Sequence, residues 1–317
     1  MSARTGAAAG HVGHFHEAGF YDSDGELAGL VVPFVEEGVA AGEPVLIADP
    51  EPGAWRFLAR FADTPGVSLV ARDGRICTPA RAIDTYRQRF VSELREGAGQ
   101  IRLTGARSEA ADAERFAGWD RFESAVNTQW ADFPLWSLCL YDTRTTPSEV
   151  IDVVERTHPF ILTTASGRRP SPRYECRLSA TLPVSLDPLE SSPPTAELTD
   201  PTALEARDVL RSLARAAVPS ATLEDLLIGV AEGVTNALRH GSPPTTVRIW
   251  AAADRVVVTV HDTGPGPADP LSGLAPGSHD LADGGLGLWL THLLDIGAAL
   301  VYGDDGFSLR LRSVTAS

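Results

Sequence analysis

Hydrophobic positions along the chain follow two different rhythms. From Val12 to about Thr164, short apolar runs alternate with longer amphipathic stretches. The runs HFHEAGFY (14–21), PVLIAD (44–49), VSLVAR (67–72), QIRLTGA (100–106), LWSLCLYD (135–142) and FILTTA (160–165) predict strands. The stretches between them, from GELAGLVVPFVEEGVAAG to PSEVIDVVERTH, have helical spacing. Near-continuous apolar strands separated by helices predict a mostly parallel sheet covered on both faces, a three-layer α/β domain over residues 11–165. Residues 1–10 are small and polar and predict a disordered tail. Residues 166–200 lose the periodicity and gain Pro and Ser, which predicts a linker.

The second rhythm occupies residues 201–317. Asp200-Pro201 predicts a helix start, with Asp as cap and Pro in the first turn. The next stretch, LEDLLIGVAEGVTNALRH (223–240), places Leu223, Leu226, Leu227, Val230, Val234, Ala237 and Leu238 on one inward stripe. At about 100° per residue, Glu232 lies roughly 170° and Asn236 roughly 150° from the centre of that stripe. His240 follows one turn later, so a carboxylate, an amide and an imidazole stack on an outward face. A solvated face with incidental Asn and His is the plainer alternative, and the residues that follow weigh against it. VRIWA and VVVTVHD predict a hairpin ending at Asp262, succeeded by Gly264 and Gly266. That pattern sets a carboxylate at a pocket mouth beside backbone that a ligand can approach closely. A long Gly, Pro and Asp-rich loop then leads to GGLGLWLTHLLDIG, where Gly284, Gly285 and Gly287 open a helix. Such a start offers free N–H groups to phosphate. A last hairpin turns at Asp305-Gly306.

Composition narrows the chemistry. The 317 residues, 43% hydrophobic and 22% charged, suit two ordinary globular domains. No run of eighteen apolar residues occurs and the N-terminus has no signal-peptide core, so a cytoplasmic protein with no membrane span is expected. Three scattered cysteines, Cys77, Cys139 and Cys176, read as small buried hydrophobes of a reducing compartment. A net charge of −15 argues against direct nucleic-acid binding. Every basic side chain apart from histidine is Arg, with no lysine at all. That excludes a Walker A loop, an ordinary protein kinase and Schiff-base chemistry, each of which needs a lysine.

In the first domain His14 and His16 share one face of a strand, but no Cys or carboxylate stands at a telling metal-ligand spacing. Ordinary packing is favoured, with a small-molecule sensory pocket on this strand as the functional alternative. Tyr21, Asp142 and His158 end or follow strands, where α/β folds place ligands. The wording of HFHEAGFY, FVEEGVAAGEPVLIA, SLCLYD and ERTHP resembles the MEDS sensory domain, a divergent RecA-like module of bacterial regulators. The resemblance implies a sensory role and, with no lysine, a lost nucleotide loop.

EGVTNALRHG, DTGPG and GGLGLWL, in that order, resemble the N box and two glycine boxes of the GHKL ATP-binding fold, an α+β two-layer sandwich. This fold is shared by histidine kinases, gyrase-type ATPases and anti-sigma serine kinases. The resemblance implies ATP with Mg²⁺ held by Asn236, adenine chosen by Asp262, His240 near the phosphates, and Ser308 near the base. The glycines Gly264, Gly266, Gly284, Gly285 and Gly287 would admit the nucleotide. A histidine kinase needs a phosphoacceptor His upstream, and residues 201–222 contain none. LEARDVLRSLARAAVP before the N box instead resembles anti-sigma factors of the SpoIIAB and RsbW kind, and the pairing of modules resembles RsbA-type regulators. That resemblance implies Glu232 as general base, a STAS-type antagonist as substrate, a sigma factor as partner, and a homodimer through the C-terminal domain. The alternatives are a non-catalytic ATP-binding switch and a histidine-kinase-like signalling ATPase.

Overall fold

A computed structural model describes residues 4–48, 56–70, 78–106, 108–178, 182–275 and 286–313. The chain divides into two compact units, Met1–Ile76 with Ala82–Pro183, and Cys77–Arg81 with Val184–Ser317. Among the described residues no helix is long and apolar enough to cross a membrane.

The first unit is built on seven strands: β1 (Phe15–Tyr21), β2 (Val45–Ala48), β3 (Val67–Val70), β4 (Ile101–Ala106), β5 (Leu135–Asp142), β6 (Phe160–Thr163) and β7 (Gly167–Pro170). Their order is β3-β2-β4-β5-β1-β6-β7, parallel except for β7, which pairs antiparallel with β6. Helices α1 (Asp24–Ala40), α2 (Pro79–Arg95), α3 (Ala113–Phe116), α4 (Trp119–Gln129) and α5 (Ser148–Thr157) connect and cover them. The expected mostly parallel α/β sheet is present. Its central strands β1, β2, β4 and β5 are largely buried, and the connections that link the parallel strands are long enough to cross over, most of them through a helix.

Strand β1 is buried along its whole length. Phe15 and Tyr21 face a core with Leu30, Val31 and Phe34 of α1. His16, alternating with them, faces the opposite layer, where Glu123 and Asn127 of α4 meet it. Arg102 of β4 is fully buried, paired with Glu43 at 2.6 Å and held by the Phe34 carbonyl at 2.7 Å.

Two segments depart from expectation. Residues 4–10, read as disordered, are tied down: Ala8 is buried, and Arg4 donates to Gln100 at 2.6 Å, to the Leu135 carbonyl at 2.8 Å, and to the Gly13 carbonyl. One guanidinium with several fixed acceptors outweighs the weak local propensity of small residues. The Pro/Ser-rich stretch 166–200 contains β7 at one end and β8 (Ala196–Thr199) at the other, each serving as a sheet edge. Edge strands are where Pro is tolerated, so composition concealed them.

The second unit has a five-stranded antiparallel sheet, β11-β12-β10-β9-β8, with β9 (Thr246–Ala251), β10 (Val256–Asp262), β11 (Ile296–Gly303) and β12 (Gly306–Ser313). Helices α6 (Ala203–Ala214), α7 (Ser220–His240) and α8 (Gly287–Leu293) accompany it. The core joins Leu210, Leu226, Leu227, Val230 and Val234 to Val258, Val260, Leu309 and Leu311. Gly229 and Gly233 bring α7 so close to the sheet that an added Cβ would stand 2.9 Å from Leu311 and 3.0 Å from Leu309. This helices-on-sheet arrangement is the α+β sandwich expected.

Helix α6 begins later than the Asp-Pro pair suggests. Thr202 caps it in a reciprocal box with Glu205, at 3.2 Å and 2.8 Å. Asp200 instead exchanges two 2.7 Å bonds with Thr245 at the start of β9. Leu238, expected on the inward stripe, is 58% exposed. The opposite sheet face is covered by residues 185–192: Glu190 forms a close ion pair with buried Arg310 at 2.9 Å, and the Ser192 carbonyl accepts from the Trp250 indole at 2.8 Å.

Candidate functional site

Strand β10 leaves the core at Asp262, which is only 4% exposed. Its Oδ1 accepts from the backbone N–H of Ser242 at 3.0 Å and of Gly264 at 2.8 Å. The Ser242 carbonyl in turn accepts from the Thr263 N–H at 3.0 Å, so the turn after α7 and the turn after β10 are laced together around one carboxylate. Both bonds fall on Oδ1, and Oδ2 takes part in neither.

Glycine makes this packing possible. A Cβ on Gly241 would run into the Asp262 carboxylate, and one on Gly264 would stand 2.7 Å from Asp262 Oδ1. Gly266 has φ near +70°, and a Cβ there would strike the Phe307 ring. Gly241 and the Ser242 amide are site residues that motif reading did not single out. The signal was present in the glycine immediately after His240, at the helix end.

Glu232 and Asn236 lie one turn apart on α7 and are half-buried, while His240 is exposed. The outward face is less open than its angle suggests because α8 begins against it. A Cβ on Gly287 would collide with Glu232 Oε2 and come within 3.0 Å of its Cδ. Gly287 thus packs against Glu232, and Gly264 and Gly266 shape the Asp262 turn; Gly284 and Gly285 lie outside the described residues.

Ser308 does not join the site. It pairs in register with His261 and bonds to the His261 Nδ1 at 3.0 Å, so both lie on the sheet face opposite Asp262. The neighbour opposite Asp262 is Phe307. A one-residue alternation therefore sets Ser308 on the face away from Asp262.

The donor set fits an adenine nucleotide. A buried acceptor-only carboxylate suits an exocyclic amino group, and the glycines beside it let the two turns close tightly around that carboxylate. Asn236 offers an amide oxygen of the kind Mg²⁺ accepts.

In the first unit, a cavity of about 50 Å³ lies between the sheet and helices α2 and α4, lined by His16, Glu123, Cys139, Leu103, Trp130 and Leu138 among others. His16 is the residue of β1 that lines it. His14 stacks on His16 with ring centroids 4.9 Å apart. Its Nδ1–H donates to the Val126 carbonyl and its Nε2 lies 2.7 Å from the Ser137 hydroxyl. Burial, reinforced by neighbouring His16, pushes the His14 imidazole well below its ordinary value. Tyr21 and Asp142 end neighbouring strands, and Asp142 is engaged by Arg144 at 2.6 Å. Cysteine usage also departs from expectation: Cys139 is only partly buried, Cys176 is exposed, and Cys77 lies outside the described residues.

Comparison with known proteins agrees with this division. Residues 15–159 match the MEDS family, the MEthanogen/methylotroph, DcmR Sensory domain. Residues 196–312 match the histidine kinase-like ATPase domain. The chain therefore carries a MEDS sensory domain followed by a histidine kinase-like ATPase domain, a class that implies ATP binding, typically with Mg²⁺. Among solved structures, the histidine kinase domain of the Erythrobacter litoralis EL346 blue-light activated histidine kinase is 18% identical over 36% of this chain and 60% of that one, with a TM-score of 0.24. A second structure of that kinase is 19% identical over 34% of this chain and 39% of the other, again with a TM-score of 0.24. The chain spans less than two thirds of either. No match emerges among curated proteins.

Proposed function

We propose that this protein is an ATP-dependent protein-serine/threonine kinase of the anti-sigma kind, which phosphorylates a STAS-type antagonist, sequesters a sigma factor, and answers to its MEDS domain. The observation that carries the reading is the placement of Glu232: a half-buried carboxylate one turn before Asn236, backed by Gly287. A carboxylate in that environment can take the proton from an incoming seryl hydroxyl as the oxygen becomes nucleophilic. Asn236 would hold Mg²⁺, and Oδ2 of Asp262 would select the base. Bound ATP supplies the phosphoryl group, while the chain positions the acceptor and removes its proton. The absence of His from residues 201–222 weighs against autophosphorylation on an adjacent helix.

The test is transfer from labelled ATP, with Mg²⁺, to a panel of STAS-domain proteins. Phosphoserine or phosphothreonine should appear on one of them and vanish in Glu232→Gln, with ATP affinity retained. Partner release driven by ATP in both wild type and Glu232→Gln, without any transfer, would replace this reading with the non-catalytic switch.

A further inference from the structure

Four side chains of the first unit that stand far apart in sequence converge at one buried point: His16 of β1, Glu123 of α4, Cys139 of β5 and His158 at the end of α5. Their donor atoms all lie within 4.8 Å of one another. Glu123 and His158 have no exposed surface and His16 has 1%. Glu123 Oε2 is 3.6 Å from His16 Nε2 and 3.6 Å from His158 Nε2. Cys139 Sγ is 3.5 Å from His16 Nε2 and 4.0 Å from Glu123 Oε2. Ligands about 2.0–2.3 Å from a tetrahedral ion stand roughly 3.3–3.8 Å apart, so these spacings approximate the edges of such a tetrahedron.

A second observation is independent of those spacings. Each imidazole is oriented from behind through its Nδ1. His16 Nδ1 lies 3.0 Å from Asn127 Oδ1, and the Asn127 amide group is itself spent on the carbonyls of Glu123 at 3.1 Å and Thr157 at 2.7 Å. His158 Nδ1 lies 2.8 Å from the Val154 carbonyl. Acceptors at both Nδ1 atoms put the ring protons there and turn both Nε2 lone pairs toward the carboxylate and the sulfur. Outer partners that fix a histidine tautomer in this way are the usual support of a metal site. Charge agrees: a carboxylate and a thiolate balance the two charges of a divalent ion, with neutral imidazoles completing the set.

We propose that His16, Glu123, Cys139 and His158 form a tetrahedral binding site for a divalent ion of the zinc type. The mixed nitrogen, sulfur and oxygen donor set favours zinc over magnesium or calcium, which take oxygen alone. Binding forms four ligand–metal bonds and sends the Cys139 thiol proton to solvent. His16, Glu123 and Cys139 also line the 50 Å³ cavity, so the ion would form part of its wall. His14 stands outside the set because both of its nitrogens are engaged elsewhere.

Cobalt reports this geometry directly. The full-length protein, stripped with chelator and kept reduced, is titrated with Co²⁺ and then with Zn²⁺. The expected result is one Co²⁺ per chain, with the strong visible absorption of a tetrahedral ion and a thiolate-to-cobalt band that Zn²⁺ abolishes. Cys139→Ser should lose the thiolate band and Cys176→Ser should keep it. Asn127→Ala should weaken zinc affinity by about 10–100-fold. A wild-type spectrum that is weak and octahedral, no binding under reducing conditions, or a thiolate band that survives Cys139→Ser would each overturn the proposal. The wild-type spectrum alone decides the matter if a variant fails to fold.

Discussion

Replacing Asp262 by Asn tests the base-binding geometry with little collateral damage. The carbonyl oxygen of the introduced amide can occupy the place of Oδ1 and still accept from Ser242 and Gly264, whose bonds at 3.0 and 2.8 Å hold the two turns together. The change then falls on Oδ2, where an acceptor becomes an NH₂ donor. An adenine amino group facing that position loses a charge-assisted bond worth about 1.5–3 kcal/mol. At 1.4 kcal/mol per tenfold, ATP should bind roughly 10–150-fold more weakly. The new donor suits a carbonyl at the same place on the purine, so the ratio of inosine triphosphate to ATP affinity should rise. Asp262→Ala is the contrast: it orphans two N–H groups at a buried position, at about 1–3 kcal/mol each, and should lower the melting temperature where Asp262→Asn does not. Titration calorimetry of the full-length protein with both nucleotides, beside thermal melts, reads all three effects. Unchanged ATP affinity in a folded Asp262→Asn protein would refute the assignment of Oδ2 to the base.

Other expectations follow from close approaches. Gly287→Ala puts a methyl group against the Glu232 carboxylate, and turning that side chain away should cut phosphoryl transfer by about 10²–10⁴-fold with a much smaller effect on ATP affinity; single-turnover transfer beside calorimetry separates the two. Gly241→Ala drives a methyl group into the Asp262 carboxylate and should weaken ATP binding in the same calorimetric assay, whereas Ser308→Ala, on the opposite face, should leave it unchanged. In the first unit, the Arg144 guanidinium beside Asp142 holds that carboxyl below its ordinary value. A depressed acid stabilises the fold above its unfolded value, near pH 4, and the contribution disappears as the pH falls through the lower folded value. Melting temperature should therefore drop more steeply below about pH 4 in wild type than in Arg144→Gln.

The ATPase half was legible in the residues because its chemistry is carried by short stretches. A helix period put Glu232 and Asn236 on one face, and a strand running into Asp-x-Gly-x-Gly announced the turn around Asp262. The miss at Ser308 has a simple cause: alternation along β12 decides which residue faces the site, and its phase depends on where β12 pairs with β10. Half-burial of Glu232 was equally beyond a helical wheel, since it arises from the start of α8.

The sensory half shows the opposite case. Its sheet could be read from apolar runs, yet the cluster at His16 could not, because no two of its four members stand at a recognisable metal-ligand spacing. They meet only because the strand order places β5 and β6 on either side of β1, and α4 packs over the face that His16 and Cys139 share. Neither neighbour is sequential to β1, so a pattern search along the chain passes over the site. A single histidine on β1, His16, with no local partner is what one strand of such a site looks like from sequence alone. Locating the remaining ligands requires the parallel topology first, since only then do residues 123, 139 and 158 become neighbours of residue 16.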